Sequence, residues 1–108
     1  GGAWEKLSDG TYKYHFAEGL EATDYWLEID GTWYYFGHDN IMQTGWVKDD
    51  GNWYYMDLET GALFTGWHEI SGKWYYFHEE GDGFKGTLMV NCETPDGYTV
   101  DVNGALVE

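Results

Sequence analysis

One hexapeptide recurs along this chain at a nearly constant interval. Gly31-Thr32-Trp33-Tyr34-Tyr35-Phe36, Gly51-Asn52-Trp53-Tyr54-Tyr55-Met56 and Gly72-Lys73-Trp74-Tyr75-Tyr76-Phe77 are versions of a single string. A second motif precedes each copy: Thr44-Gly45-Trp46, Thr65-Gly66-Trp67 and a relative, Asp24-Tyr25-Trp26. The first Trp of each unit stands at 26, 46 and 67 and the second at 33, 53 and 74, a period of 20 or 21 residues. Self-similarity at such a period marks units too small to bury their own apolar faces, which must therefore stack. Degenerate copies flank the three. Upstream, Gly10-Thr11-Tyr12-Lys13-Tyr14 matches Gly31-Thr32-Trp33-Tyr34-Tyr35, but Trp4 lies eight residues before Tyr12 instead of seven. That extra residue predicts a shifted or bulged register. Downstream, Tyr98 through Leu106 echoes Tyr54 through Leu63, one residue shorter. Atypical end copies are expected, because a terminal repeat lacks one neighbour.

The spacing also says what each unit is. Asp30-Gly31, Asp50-Gly51 and Ser71-Gly72 sit between the paired Trp, and such a dipeptide between β-favouring runs is a hairpin signal. Strands are predicted near 25–29/33–37, 45–49/53–57 and 66–70/74–78, with no helix longer than about a turn. Taking Asp50-Gly51 as the turn sets Trp46 opposite Tyr55 and Lys48 opposite Trp53. Alternation then puts Trp46, Trp53 and Tyr55 on one face, with Val47, Tyr54 and Met56 on the other. An isolated hairpin is marginal in water. The predicted fold class is therefore all-β, a solenoid of stacked β-hairpins. It comprises about five units at roughly 4–24, 25–44, 45–65, 66–86 and 87–108, forming one module over 1–108.

Composition narrows the function. Aromatics make up 20% of the 108 residues, including seven Trp and ten Tyr, which excludes a disordered chain. Twenty acids against five lysines give a net charge of −15. Nucleic acid is excluded as a partner, an anionic membrane surface is disfavoured, and the field favours a cation. No apolar run approaches the roughly 20 residues of a membrane span, and no signal peptide is visible. Cys92 is the only cysteine, so no internal disulfide forms. Ser71 is a turn residue and Ser8 precedes the Asp9-Gly10 turn, which leaves no serine triad. His15, His38, His68 and His78 lack metal-ligand spacing, and Glu79-Glu80-Gly81-Asp82 lacks a calcium-loop pattern. The expectation is a module without catalysis, metal or cofactor.

The string Thr44-Gly45-Trp46-Val47-Lys48-Asp49-Asp50-Gly51-Asn52-Trp53-Tyr54-Tyr55 resembles the choline-binding, or cell-wall-binding, repeats of Gram-positive surface proteins and phage lysins. The resemblance extends over nearly the whole chain. It implies hairpins that clasp choline between consecutive repeats, caged by two Trp of one and a Tyr of the next, often with a Met nearby. A secreted module follows, held at the bacterial cell wall by choline of teichoic or lipoteichoic acid, with room for a cell-wall hydrolase domain in a longer parent. The end copies bear on which Tyr serves. The first copy, with nothing before it, has Lys13 at the first-Tyr position, whereas the last keeps Tyr98 there. The expected cages are Trp26/Trp33/Tyr54, Trp46/Trp53/Tyr75 and Trp67/Trp74/Tyr98, with Met42 and Leu63 at equivalent loop positions beneath. Relatives with similar repeats occur in glucan-binding regions of glucosyltransferases and in clostridial toxin tails. Polysaccharide stacking on the same rings is therefore the rival reading, and a stalk whose aromatics are only core is the third.

Overall fold

The structure, a computed structural model, describes residues 3–15, 25–37, 40–79 and 85–108. His38 and the Glu80-Gly81-Asp82 part of the acidic run lie outside the described residues. The fold is all-β: the described residues form ten strands in five two-stranded sheets, and none is helical. The hairpins are β1 (Ala3–Lys6) with β2 (Tyr12–His15), β3 (Tyr25–Ile29) with β4 (Thr32–Phe36), and β5 (Gly45–Asp49) with β6 (Asn52–Met56). β7 (Gly66–Ile70) pairs with β8 (Lys73–Phe77), and the short β9 (Cys92–Glu93) with β10 (Thr99–Val100). Each full second strand starts one residue earlier than the spacing predicts, because Thr32, Asn52 and Lys73 already pair beside the turn. The chain divides into two compact units, Gly1–Gly45 with Met56–Leu63, and Trp46–Tyr55 with Phe64–Glu108.

Turn chemistry sets the hairpins. Asp30 and Gly31 have φ of 52° and 85°, Asp50 and Gly51 52° and 81°, and Ser71 and Gly72 53° and 85°. Two successive positive φ values define the tight turn whose twist matches that of the flanking strands. The register then sets Trp26 opposite Tyr35 and Glu28 opposite Trp33, and likewise Trp67 opposite Tyr76 and Glu69 opposite Trp74. In the first hairpin the extra residue does not shift the strands. Trp4 still faces Tyr14, the counterpart of Tyr35. The surplus is taken up in a three-residue loop, Ser8-Asp9-Gly10, closed by bonds from Gly10 N–H to Leu7 O (3.0 Å) and from Leu7 N–H to Thr11 O (2.8 Å). Gly10, at φ 91°, is the left-handed residue of a glycine bulge.

Between hairpins the loops repeat one device. A residue with positive φ (Asn40, Gly61, Gly86 or Gly104) stands two before an apolar residue: Met42, Leu63, Leu88 or Leu106. The N–H of that apolar residue reaches the preceding hairpin. Met42 donates to Tyr12 O (2.8 Å) and Leu63 to Trp33 O (3.0 Å) in the first unit, Leu88 to Trp53 O and Leu106 to Trp74 O (both 2.8 Å) in the second. The same four residues bridge to Phe36, Met56, Phe77 and Val100 respectively. Those partners, each at the sixth hexapeptide position or its counterpart, are the largest fully buried side chains described. Tyr14, Phe36 and Met42 form the core of the first unit, and Tyr55, Ile70, Phe77 and Leu88 that of the second. The hairpins thus hold together by loop-to-strand hydrogen bonds and one buried plug per repeat.

Candidate functional site

The second unit contains two aromatic cavities. Trp46, Trp53 and Tyr75 wall one of about 410 Å³, with Leu88 at its base. The rings stand nearly square to each other: Trp46 lies 6.1 Å from Trp53 at 88° and 5.1 Å from Tyr75 at 80°. Trp46 and Trp53 remain 39% and 42% exposed, too open for residues serving only as core. Lys48 holds its ammonium 5.8 Å from the Trp53 ring centre, a cation–π contact on the same ring. Trp67, Trp74 and Tyr98 line the other cavity, of about 400 Å³, together with Leu106 and Asp96. Trp67 and Tyr98 are 5.8 Å apart at 90°.

The strands explain why these rings converge. Alternation brings Trp67 and Tyr76 to one side of their hairpin, with ring centres 5.2 Å apart, while Tyr75 departs to the opposite side. The two tyrosines of the hexapeptide therefore serve different neighbours. Tyr55 and Tyr76 are buried, at 8% and 5% exposure, whereas Tyr75 and Tyr98 face cavities walled by the Trp of the hairpin before.

The first unit holds a cavity that the repeat pattern did not assign. Trp4, Tyr12, Tyr34, Met42, Glu59 and Thr60 line about 270 Å³. Trp4 lies 6.2 Å from Tyr12 at 89° and 5.0 Å from Tyr34 at 71°, the same right-angled box with Tyr12 for the second Trp. The missed signal was Tyr12 standing for Trp, coupled to an eight-residue spacing that only lengthens the turn. Met42 thus floors the Trp4/Tyr12/Tyr34 box. Leu88 and Leu106, the floors of the other two, were also missed, although Gly104-Ala105-Leu106 repeats Gly61-Ala62-Leu63. Of the remaining expected residues, Trp26, Trp33 and Leu63 belong to the first unit and Tyr54 to the second.

The choline-binding repeat family matches residues 22–65 and 64–107. The chain belongs to that family. Choline binding protein F of Streptococcus pneumoniae, solved with a peptidoglycan analogue, is 35% identical at a TM-score of 0.85, with 100% of this chain and 34% of that one covered. The choline binding domain of Spr1274 from the same organism is 36% identical at a TM-score of 0.68, over 86% of this chain and 100% of that domain. The pneumococcal cell wall endolysin of phage Cp-1, complexed with choline, is 33% identical at a TM-score of 0.62, with coverage of 97% and 30%. No curated protein sequence gives a significant match. The chain thus spans about a third of choline binding protein F and of the endolysin. It is a run of choline-binding repeats, and such repeats are themselves non-catalytic.

Other candidate groups do not converge. No group of three His, Cys, Asp or Glu able to hold a metal exists among the described residues. His68 stacks on Phe64 at 3.8 Å and 13°, with its Nε2 3.0 Å from Thr65 O, so it packs as a flat ring on the strand face. Cys92 is exposed on β9. No described helix is long and apolar enough to cross a membrane.

Proposed function

We propose that residues 1–108 act as one multivalent module that holds choline groups of teichoic or lipoteichoic acid, one in each aromatic cage, and so fastens its parent protein to a bacterial cell wall. The observation that carries this is the Trp46/Trp53/Tyr75 box with its Leu88 floor, repeated at Trp67/Trp74/Tyr98 and, with Tyr12 for a Trp, at Trp4/Tyr12/Tyr34. Repeat equivalence assigns Trp26 and Trp33, with Leu63 as floor, to a further site, and places Tyr54 at the wall-forming position of its hexapeptide.

A trimethylammonium group offers no N–H, so ordinary hydrogen bonds cannot hold it. Its diffuse charge is drawn instead to ring faces, and three rings at right angles contact its methyls on three sides. The leucine floor removes further methyl surface from water. Each ring contributes about 0.5–2 kcal/mol, which places a single site on the order of millimolar. Firm attachment then comes from several weak sites engaging one polymer. The phage Cp-1 endolysin complexed with choline supports this ligand. The net charge of −15 draws cationic groups toward the module.

A choline titration followed by Trp fluorescence tests the reading. Saturation on the order of millimolar, with no response to glucan oligosaccharides, is expected. A folded protein that ignores choline at about ten times that concentration but responds to glucan would replace it with sugar stacking. Indifference to both would leave a stalk.

A further inference from the structure

The cavity walled by Trp67, Trp74 and Tyr98 differs from the Trp46/Trp53/Tyr75 cavity in the charge of its polar lining: a carboxylate, Asp96, stands in the first and a neutral amide, Asn103, in the second. Asp96 belongs to the three-residue loop Pro95-Asp96-Gly97, which closes through bonds from Gly97 N–H to Thr94 O (3.0 Å) and from Thr94 N–H to Tyr98 O (2.7 Å). Its two oxygens are individually held. Oδ2 accepts the indole N–H of Trp67 at 2.9 Å, and Oδ1 accepts the hydroxyl of Thr94 at 2.6 Å. The same Thr94 hydroxyl oxygen accepts the N–H of Tyr98 at 3.1 Å. One short network thus ties the carboxylate to a Trp wall and to the backbone of the Tyr wall.

A carboxylate has about four lone-pair directions, and these two bonds use half of them. The remainder can accept an N–H. A quaternary ammonium has none to give, but a dimethylammonium has one. In the Trp46/Trp53/Tyr75 cavity that N–H would exchange its water partner for at best the neutral amide oxygen of Asn103, a weaker acceptor than a carboxylate. Beside Asp96 it gains a charge-assisted bond.

We propose that Asp96 makes the Trp67/Trp74/Tyr98 cage a receptor for dimethylammonium groups as well as trimethylammonium ones, whereas the Trp46/Trp53/Tyr75 cage discriminates against the N–H-bearing ligand. The inference rests on the cage reading above and concerns the specificity of one of its sites. The Thr94 and Trp67 bonds also hold the Asp96 carboxyl below its ordinary range, so the acceptor stays charged at neutral pH.

The test compares choline with protonated N,N-dimethylaminoethanol in the full chain, observed through the indole N–H NMR signals of Trp67 and Trp46. In the unchanged protein, replacing choline by the dimethyl ligand is expected to weaken the Trp46 site about tenfold and the Trp67 site by less than about threefold. Asp96→Asn, of nearly the same shape, is expected to bring the Trp67 site to the tenfold loss while leaving Trp46 unchanged. Equal selectivity at both sites in the unchanged protein overturns the proposal, a result that needs no variant to fold. So does Asp96→Asn with unaltered selectivity at Trp67. Absence of any choline response at either Trp overturns the cage reading itself, and this inference with it.

Discussion

Two tyrosines stand side by side in each hexapeptide, and their environments assign them different tasks. Tyr75 walls the cavity with Trp46 and Trp53, while Tyr55 is packed in the core with Ile70 and Phe77. Trp46→Ala, Trp53→Ala and Tyr75→Ala are each expected to abolish or strongly weaken one choline site with the Trp67/Trp74 site retained, read by NMR site by site. Tyr55→Ala should act through folding instead, costing about 3–5 kcal/mol as a core aromatic truncation, read as a lowered denaturation midpoint. A Tyr55→Ala protein as stable as the parent would show that the ring is not core. The assignment was legible in the sequence because the outer copies are degenerate: the first has Lys13 at the wall position, and the last, which follows Trp67 and Trp74, keeps Tyr98 there while losing its own Trp and second Tyr. Asp96 was not legible, since Pro95-Asp96-Gly97 reads as turn chemistry and nothing in the string shows that Trp67, 29 residues earlier, donates to it. Its pH behaviour follows from that contact. The Thr94 hydroxyl, then the Trp67 indole, lower the Asp96 pKa in the folded chain. The favourable charge is therefore complete above the ordinary carboxylate value of about 3.9 and is lost only as pH falls through the lower folded value. Choline affinity read at Trp67 should stay level from about pH 7 to about pH 5. A decline across that window would mean that Asp96 is not held as described.

At the scale of elements, turns and loops divide the labour between folding and site-building, and glycine substitutions separate the two. A Cβ on Gly51 would meet nothing within 4 Å, so its requirement is conformational alone, at φ +81°. Gly51→Val is expected to destabilise by about 1–3 kcal/mol while the folded fraction binds choline as before. Gly104 has a similar φ, +87°, but a Cβ there would come within 2.7 Å of Leu88 Cδ2. Leu88 is the floor of the Trp46/Trp53/Tyr75 cavity. Gly104→Ala should therefore shift choline affinity at Trp46 as well as lower stability. Equal binding by both folded variants would show that the floor does not shape the site. The hairpins were legible because Asp-Gly between aromatic runs leaves one tight turn, and alternation does the rest. The floors were less so. Leu88 follows a longer loop, whose closure by bonds from His78 N–H to Thr87 O and from Gly86 N–H to His78 O (both 2.8 Å) restores the geometry of the shorter ones despite the added residues. The first hairpin hid its box for a related reason: its extra residue is absorbed by Gly10 in the turn, so a spacing that suggests misalignment leaves Trp4 in register with Tyr14.

For the whole molecule, charge and repetition make separable predictions about attachment. A chain of −15 adheres to any cationic matrix, but that adhesion is screened once salt shortens the Debye length to about 3 Å near 1 M. Attachment through cages is different in kind, because methyl groups buried against rings and a leucine floor are not displaced by sodium. Elution from a choline-bearing surface should therefore require free choline and resist NaCl of equal ionic strength. Repetition adds a second signature. Sites that are each on the order of millimolar gain retention by engaging the same polymer, where linked binding multiplies overall affinity by about 10²–10⁴. Removing one site with Trp46→Ala should lower the stoichiometry for free choline by a single site and leave the remaining affinities unchanged. On a choline-bearing polymer the same variant should be released about tenfold faster or more, because each lost cage removes a factor and not a share. Trp46→Ala combined with Trp74→Ala should compound that loss. Retention that falls only in proportion to the number of sites would mean that the cages engage the polymer singly, and elution by salt alone would mean that charge, not the aromatic cages, holds the module to its surface.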